Sequence, residues 1–242
     1  TIARFGGEEF VILLPDTQIY SYQYPAIFTA QTNWIKTAIQ SSGWDVAYVG
    51  HLGDLVHHYD ATTEWEVAQS AMRVLDGVVP YGVLPGNHDF EGSDDSNFNT
   101  YFPVSHYSGQ TWWGGSYNGK LNCNWQKVTR AGSEWIFLNL PAEPSDLELE
   151  WARGVANDHP TSFVVLNTHG YLHPEGVIRP EDAAVLNQLV RLCPNIHLTN
   201  NGHYHGQARL TGCLETRLLA SQVVDYQDDS RSEERRVGKE CR

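Results

Sequence analysis

Long apolar runs, basic residues and closely spaced cysteines are all scarce in this chain of 242 residues. No apolar run approaches the ~18 to 20 residues that a helix needs to cross a bilayer, so we expect no membrane span. The first residues do not resemble a signal peptide either, because Glu8 and Glu9 interrupt the region where a basic and an apolar stretch would lie. We therefore expect the covered chain to be soluble, with its compartment left open.

Basic residues number 16 against 29 acidic ones, which gives a net charge of −13. That charge repels a phosphate polymer and argues against nucleic acid as a backbone-bound partner. At this length a β-rich chain commonly forms one domain around a single large core, and we expect the same here. No feature of the sequence fixes the oligomeric state.

The cysteines are too widely spaced for a zinc ribbon or a thioredoxin-like motif. They lie at Cys123, Cys193, Cys213 and Cys241. A bridge between Cys193 and Cys213 in an oxidising compartment and free buried thiols both fit this spacing, and we favour the free thiols.

What the sequence does contain is a series of short polar blocks, each directly after a run of apolar, β-branched residues. The runs span five segments: Val11 to Leu14, Val46 to Val49, Tyr81 to Leu84, Phe163 to Leu166 and Ile196 to Leu198. The blocks that follow them contain Asp16 with Gln18, Gly53-Asp54, Gly86-Asn87-His88-Asp89, His169, and His203 with His205. Such runs predict buried strands, so the blocks fall at strand ends, where an open α/β sheet has its functional crevice.

These residue types suit a pair of divalent metal ions, which need oxygen and imidazole ligands and a carboxylate that bridges them. Asp54 is the candidate bridge, because a carboxylate has two oxygens. The other candidate ligands form two groups: Asp16, Gln18 and His205 for the first ion, and Asn87, His169 and His203 for the second. Two such ions exceed the two carboxylates in charge, which suits a phosphate oxyanion and the deprotonation of a bound water. His88 lies beside a proposed ligand and could contact the phosphate or protonate the leaving alkoxide.

Each block taken alone has an ordinary structural explanation. A lone Asp after a strand is usually a turn or a helix cap, and a lone His is more often a surface or satisfied core residue. Seven histidines stay in that structural class: His51, His57, His58, His106, His159, His173 and His197. Of these, His51 and His173 lie within a few residues of a proposed ligand. The five blocks taken jointly favour the metal site.

In their order along the chain, the blocks resemble the motifs of the calcineurin-like metallophosphoesterase superfamily. They read Asp16-Thr17-Gln18, Gly53-Asp54-Leu55-Val56, Gly86-Asn87-His88-Asp89, His169, and Gly202-His203-Tyr204-His205. The resemblance covers roughly residues 13 to 227 and implies an α/β fold, a four-layer β-sandwich flanked by helices. It also implies a dinuclear site of Mn, Fe or Zn, and His88 as phosphate contact or acid. A small phosphate ester is the substrate that fits this reading.

Two positions depart from that family. Most members have Asp-x-His at the first block, whereas Gln18 stands here, as in a minority subgroup. An amide oxygen is a neutral and weaker ligand than imidazole, so we expect the first ion to be held loosely or to be a harder ion such as Mn. The purple acid phosphatase branch has a Tyr three residues after the bridging Asp. His57 occupies that position, so we expect no tyrosinate-bound ferric ion.

Both ends of the chain look foreign to this domain. Residues 3 to 16 resemble the signature hairpin of diguanylate cyclases, but the rest of such a cyclase is missing and we assign no cyclase activity. Residues 231 to 242 form a charged run that resembles translated adaptor sequence. We therefore divide the chain into a foreign segment (1–12), the phosphoesterase domain (13–227) and a disordered, non-native tail (228–242). On this reading, closing C-terminal strands of the fold are missing.

The middle of the chain alternates strands and helices. Apolar residues at helical spacing predict an amphipathic helix over residues 25–39. Start signals predict three further helices: a capping box of Thr63 with Glu66, another of Ser145 with Glu148, and Pro180 in a first turn.

The aromatic, Gly-rich segment 102–125 has no helical period. It could border the substrate site or pack as a surface subcore, and both alternatives stay open. Asn118 and Gly119 suit a tight turn within it.

Three functions are open to such a chain. The first, which we favour, is hydrolysis of a phosphomonoester or phosphodiester by a hydroxide that two metal ions activate, with Asp54 and His88 in catalytic roles. The second is a non-catalytic metal-binding or scaffold module that retains the fold. The third, ranked far below, is a signalling fragment of cyclase ancestry, which nucleotide binding at Gly6 to Glu9 would reveal.

Overall fold

The computed structural model describes residues 2–5, 9–214, 217–225 and 235–238, with side chains for residues 10–212 and 219–223. The strands are β1 (Ile2–Phe5), β2 (Glu9–Leu14), β3 (Asp45–His51), β4 (Tyr81–Gly82), β5 (Trp113–Ser116), β6 (Asn124–Arg130), β7 (Ser133–Asn139), β8 (Phe163–Asn167), β9 (Ile196–Asn201), β10 (Gly206–Leu214), β11 (Arg217–Asp225) and β12 (Arg235–Gly238). The helices are α1 (Gln18–Gln23), α2 (Pro25–Gln40), α3 (Thr62–Arg73), α4 (Ser96–Tyr101), α5 (Val104–Tyr107), α6 (Asp146–Asp158) and α7 (Ala183–Val185). A π-helical turn, Leu186–Val190, continues α7.

The described strands form two sheets. The first has the order β1-β2-β3-β4, and β2, β3 and β4 run parallel. The second has the order β12-β10-β11-β9-β8-β7-β6-β5, with β7, β8 and β9 parallel at its centre. The parallel strands β2, β3, β4, β8 and β9 are those that precede the polar blocks.

The helices and sheets form four layers, with an apolar core between each pair of neighbouring layers. Between the sheets, Tyr48 of β3 lies flat on Phe137 of β7, with ring centroids 3.8 Å apart. Helices α2 and α3 cover the outer face of the first sheet and bury Trp65 completely. Helix α6 and the 183–190 helix cover the second sheet and bury Leu149. Burial of each large apolar side chain of this kind contributes about 1.5–3 kcal/mol to the stability of the fold. The predicted four-layer α/β sandwich is confirmed.

The predicted helices are present. Residues 25–40 form α2, as the apolar spacing indicated. Ser145 caps α6 in the predicted way: the carboxylate of Glu148 accepts from the Ser145 N–H at 2.8 Å, and the Ser145 hydroxyl accepts from the Glu148 N–H at 3.4 Å. Pro180 opens a 3₁₀ turn, Pro180–Asp182, that leads into α7.

The capping box predicted at Thr63 is wrong, because α3 begins at Thr62 without a side-chain cap. Glu64 faces the preceding loop, where its carboxylate accepts from the backbone N–H groups of His57 at 2.7 Å and His58 at 3.0 Å. These donors follow Asp54 closely, so Glu64 fixes the loop that leaves the site.

The aromatic segment packs against the cores. Its strands β5 and β6 pair as a hairpin, and Asn118 (φ 50°) and Gly119 (φ 69°) form the predicted tight turn. Trp112 and Trp113 pack against the core of the first sheet, while Tyr117 and Trp125 pack against that of the second. The packing of these four side chains fits the alternative of a subcore rather than that of a substrate wall.

A row of amide side chains, buried except for the half-buried Gln222, crosses the second sheet. Gln222 donates to Asn200 at 2.8 Å, Asn200 to Asn167 at 2.8 Å, and Asn167 to Asn139 at 2.9 Å. Asn139 then donates to Gln126 at 2.7 Å and to Asn124 at 3.0 Å. These six residues, from β11, β9, β8, β7 and β6, are called the amide ladder below.

The two ends of the chain add to the sheets. The proposed boundary between residues 12 and 13 falls inside β2, which pairs with both β1 and β3. Residues 6–8 lie outside the described part, so the cyclase-like signature is not tested. Within the tail predicted to be disordered, Arg235–Gly238 forms β12 beside β10. Residues 228–234 and 239–242 lie outside the described residues.

Two further observations bear on the sequence-based expectations. Cys123 and Cys193 are buried free cysteines. Across the described residues, no helix is both long and apolar enough to pass through a bilayer.

Candidate metal centre

Two histidines and one carboxylate form the centre of the site. Ligand atoms of Asp54, His169 and His203 all lie within 4.8 Å of one another. Nε2 of His169 lies 3.3 Å from Oδ1 of Asp54, and the rings of His169 and His203 have their centroids 4.8 Å apart. Asn87 joins them, because its Oδ1 lies 3.0 Å from Nε2 of His169. Residues from the loops after β3, β4, β8 and β9 thus meet at one point.

His169 is held in the orientation that a metal ligand needs. Its Nδ1 lies 2.8 Å from the carbonyl oxygen of Leu52, which can only accept, so Nδ1 carries the proton and Nε2 faces Asp54 and Asn87. Burial opposes a charge on His169, but the carboxylates of Asp54 and Asp16 outweigh it and raise the pKa of His169 to about 10. The electrostatic field at this point therefore favours a cation.

Asp54 is buried and ionised. Burial opposes its charge, yet His169 and the backbone N–H of His88, which donates to Oδ1 at 2.9 Å, keep the pKa of Asp54 below its usual range. Its backbone adopts a left-handed conformation with φ 54°, which costs of order 1 kcal/mol or more for a residue other than glycine. Such strain persists because the surrounding contacts fix it.

The block after β2 lies against the same centre. The carboxylate of Asp16 accepts from the backbone N–H of His203 at 2.9 Å, and its Oδ1 lies 3.9 Å from Nδ1 of His169. The Thr17 N–H donates to the carbonyl of Asp54 at 3.0 Å, which ties this block to the central carboxylate. Gln18 is buried at the start of α1.

His203 and His205 flank the site from the turn after β9. His203 has φ 66°, and burial together with the charge of His169 lowers its pKa to about 4, which leaves a neutral imidazole. His205 is exposed and lies outside the close group of ligand atoms, although its charge contributes to the lowered pKa of His203. Of the proposed ligands, Asp54, His169 and His203 lie within 4.8 Å of one another, Asn87 contacts His169, and Asp16 adjoins them.

One ring nitrogen of His88 is hydrogen-bonded within the protein. Its Nδ1 lies 2.9 Å from the carbonyl oxygen of His57, so Nδ1 donates and Nε2 is left for other partners. The His57 ring stacks on the His88 ring with centroids 5.1 Å apart and an angle of 20°. This fixes the orientation of a half-buried imidazole whose backbone touches Asp54.

Two further residues hold the site together, although the sequence motifs assigned no role to them. His51 is fully buried; its Nδ1 accepts from the Gly53 N–H at 3.2 Å, so Nε2 donates to the Thr17 hydroxyl at 2.9 Å. It thereby connects the first two blocks. Its position three residues before Asp54 was the available signal.

Asp89 is the second such residue. Its buried carboxylate accepts from the backbone N–H groups of Leu55 (2.8 Å), Val56 (3.0 Å) and Gly86 (2.8 Å). Burial and the nearby charge of Asp54 raise the pKa of Asp89. The last residue of the Gly-Asn-His-Asp block thus joins the loops that carry Asp54 and Asn87. The sequence motif alone assigned no role to it.

Comparison with known proteins identifies the class. Residues 11–208 match the family of calcineurin-like phosphoesterases, and the chain belongs to that family. An uncharacterised protein of Bacillus subtilis, YvnB, is 32% identical over 226 residues, which cover 89% of this chain and 17% of YvnB. The chain therefore spans less than a fifth of that relative.

Solved structures share the fold at low sequence identity. A 5'-nucleotidase of Candida albicans superposes with a TM-score of 0.56 at 11% identity, covering 93% of this chain and 47% of the nucleotidase. A purple acid phosphatase from yellow lupin seeds has a TM-score of 0.54 at 16% identity, covering 83% and 39% of the two chains. At these identities the likeness concerns the fold alone.

Proposed function

We propose that this chain hydrolyses a phosphomonoester or phosphodiester with two divalent metal ions, Mn, Fe or Zn. The observation that carries the proposal is the convergence of Asp54, His169 and His203 within 4.8 Å, with Asn87 and Asp16 against them. Membership of the phosphoesterase family supports phosphoester hydrolysis as the general chemistry.

The donor set fits such ions. Carboxylate, amide and neutral imidazole groups are the ligands that these metals accept, and Asp54 has two oxygens with which to bridge. Asp16, Gln18 and His205 would hold one ion, Asn87, His169 and His203 would hold the other, and Asp54 would be shared between them. When bound, the ions supply positive charge for the phosphate oxygens and a water that loses its proton near neutral pH.

His88 is the proposed proton donor. With Nδ1 donating to the His57 carbonyl, Nε2 is the nitrogen that can carry a proton towards the substrate. His88 would hold a proton at Nε2 and give it to the ester oxygen as the bond from that oxygen to phosphorus breaks. A protonated Nε2 also contacts a phosphate oxygen before the reaction.

Asp54→Asn tests the role of the bridge. The substitution preserves shape but removes the negative charge that both ions share, so we expect turnover of chromogenic phosphate esters to be abolished and bound metal to fall below two ions per chain. The measurement is elemental analysis beside a steady-state assay. Asp45→Asn is the matched control, because Asp45 is an exposed aspartate at the opposite end of β3 and forms an ion pair with Arg130 at 3.8 Å. Full activity in Asp54→Asn would refute the mechanism.

His88→Ala separates proton donation from metal binding. We expect two ions to remain while turnover of an alkyl phosphate falls about 10²–10⁴-fold, the usual range for a general acid. Nitrophenyl phosphate should be affected less, because nitrophenolate leaves without a proton. Equal loss for both esters would assign His88 to phosphate contact instead.

The alternative, a non-catalytic module, has its own signature in the same experiments. A chain that binds two ions yet turns over neither monoesters nor diesters would favour it. Weak binding of one ion would point to Gln18, the neutral ligand at the first block.

A further inference from the structure

The segment after His169 lies along the turn that carries His203 and His205. At one end of this turn, Asn201 donates to the Leu172 carbonyl at 3.1 Å and accepts from the Leu172 N–H at 3.0 Å. At the other end, a Cβ on Gly206 would lie 3.1 Å from Cβ of Pro174, so Gly206 lies close to the Pro174 ring. Residues 172–174 therefore border the turn from Asn201 to Gly206.

Three side chains join the same two segments between those ends. The Tyr204 hydroxyl donates to the carboxylate of Asp182 at 2.9 Å, and Nε2 of His173 lies 2.9 Å from the same carboxylate. The rings of His173 and Tyr204 stack with centroids 3.5 Å apart at an angle of 26°. Each of the three residues thus contacts the other two, and we call the set the clamp.

We propose that Tyr204 and Asp182 are positioning residues that order the 202–206 turn and so place His203 and His205 for metal binding. This inference rests on the proposed function. Tyr204 lies between the two histidines in sequence, so any shift of its backbone moves both. Outer partners that orient ligands in this way commonly affect metal affinity 10–100-fold when they are removed.

The turn needs such support. His203 has a left-handed backbone, a strained conformation that persists only where surrounding contacts over-determine it. On one side Asp16 accepts from its N–H. The clamp supplies the contact on the other side, and its members His173 and Asp182 are largely shielded, with side chains 4% and 10% exposed.

Tyr204→Phe is the direct test, because it removes the hydroxyl and retains the ring that stacks on His173. In the metal-free protein we expect amide hydrogen exchange of residues 202–206 to become faster. In the reconstituted protein we expect Zn or Mn affinity, measured by competition with a chelating dye, to fall about 10-fold. Asp182→Asn retains an acceptor for the Tyr204 hydroxyl and should lose less affinity than Asp182→Ala.

Tyr81→Phe is the matched control. Its hydroxyl also donates to an aspartate, Asp76, at 2.8 Å, but Tyr81 lies at the start of β4, outside the site. We expect this variant to leave both the exchange of the turn and the metal affinity unchanged.

Each outcome decides something. Unchanged exchange and affinity in Tyr204→Phe would overturn the inference, as would equal effects of Tyr204→Phe and Tyr81→Phe. A parent chain that binds no metal would defeat the proposed function, while the exchange measurement would still decide whether the clamp orders the turn.

Discussion

At the scale of single residues, glycines set how closely the loops of the site approach one another. A Cβ on Gly86 would overlap the carboxylate and backbone nitrogen of Asp54 and lie 2.7 Å from Cε1 of His169. We expect Gly86→Ala to displace the loop that carries Asn87, with loss of metal and about 2 kcal/mol of stability, as in other overpacked sites. Elemental analysis and urea unfolding are the measurements.

Gly154→Ala is the control for that substitution. Gly154 is exposed within α6, and its added Cβ would meet nothing within 4 Å. Because alanine restricts the unfolded chain and suits a helix, we expect a gain of about 0.5–1 kcal/mol with unchanged metal content. If both variants lost metal equally, the close packing at Gly86 would not be the cause.

At the scale of elements, the sequence predicted those helices whose signals lie within a short local stretch of residues. Spacing alone predicted α2, and the Ser145 cap predicted the start of α6, because both signals lie within one helix. The capping box of Thr63 with Glu66 was wrong, and the role of Glu64 was missed because its partners, the N–H groups of His57 and His58, lie in the preceding loop rather than in the helix. The roles of His51 and Asp89 were missed for a similar reason, since they consist of contacts between separate blocks.

The amide ladder is the clearest case of a feature that no local pattern reveals. Asn139, Asn167 and Asn200 lie on three strands and become neighbours only through the register of β7, β8 and β9. Buried amides are tolerated there because each finds partners on both sides. Asn167 lies two residues before His169 and Asn200 three before His203, so the ladder fixes the strand ends beneath two proposed ligands.

Asn139→Ala tests the ladder. The substitution leaves Asn167, Gln126 and Asn124 with unmade hydrogen bonds in a dry interior, and each such loss costs about 1–3 kcal/mol. We expect a total loss of about 3 kcal/mol in urea unfolding, less than the sum because the remaining amides reorganise. Asn97→Ala is the control: its half-buried amide makes a single bond to the Tyr59 carbonyl, and we expect a loss of about 1 kcal/mol. Equal losses would contradict a cooperative ladder.

At the scale of the whole molecule, buried histidines make folding depend on pH. Burial, aided by the charge of His169, lowers the pKa of His51 to about 3, and burial likewise lowers that of His203 to about 4. The unfolded chain has ordinary histidines with a pKa near 6.5. Below that pH the unfolded state binds protons that the folded state excludes, so the stability that these two neutral histidines contribute is full above pH 6.5 and falls as the pH drops towards 4.

His51→Gln isolates one of these histidines. Between pH 7 and pH 5 a single excluded proton costs about 2 kcal/mol, so the parent should lose about that much more stability than the variant over this interval. Urea unfolding with a chelator present measures it, because without metal neither protein loses a ligand-bound ion on acidification. His203 and the carboxyl groups titrate in both proteins, and the difference between the two removes their contribution. Should parent and variant lose the same stability between pH 7 and pH 5, His51 would not be the buried neutral imidazole that joins Thr17 to Gly53.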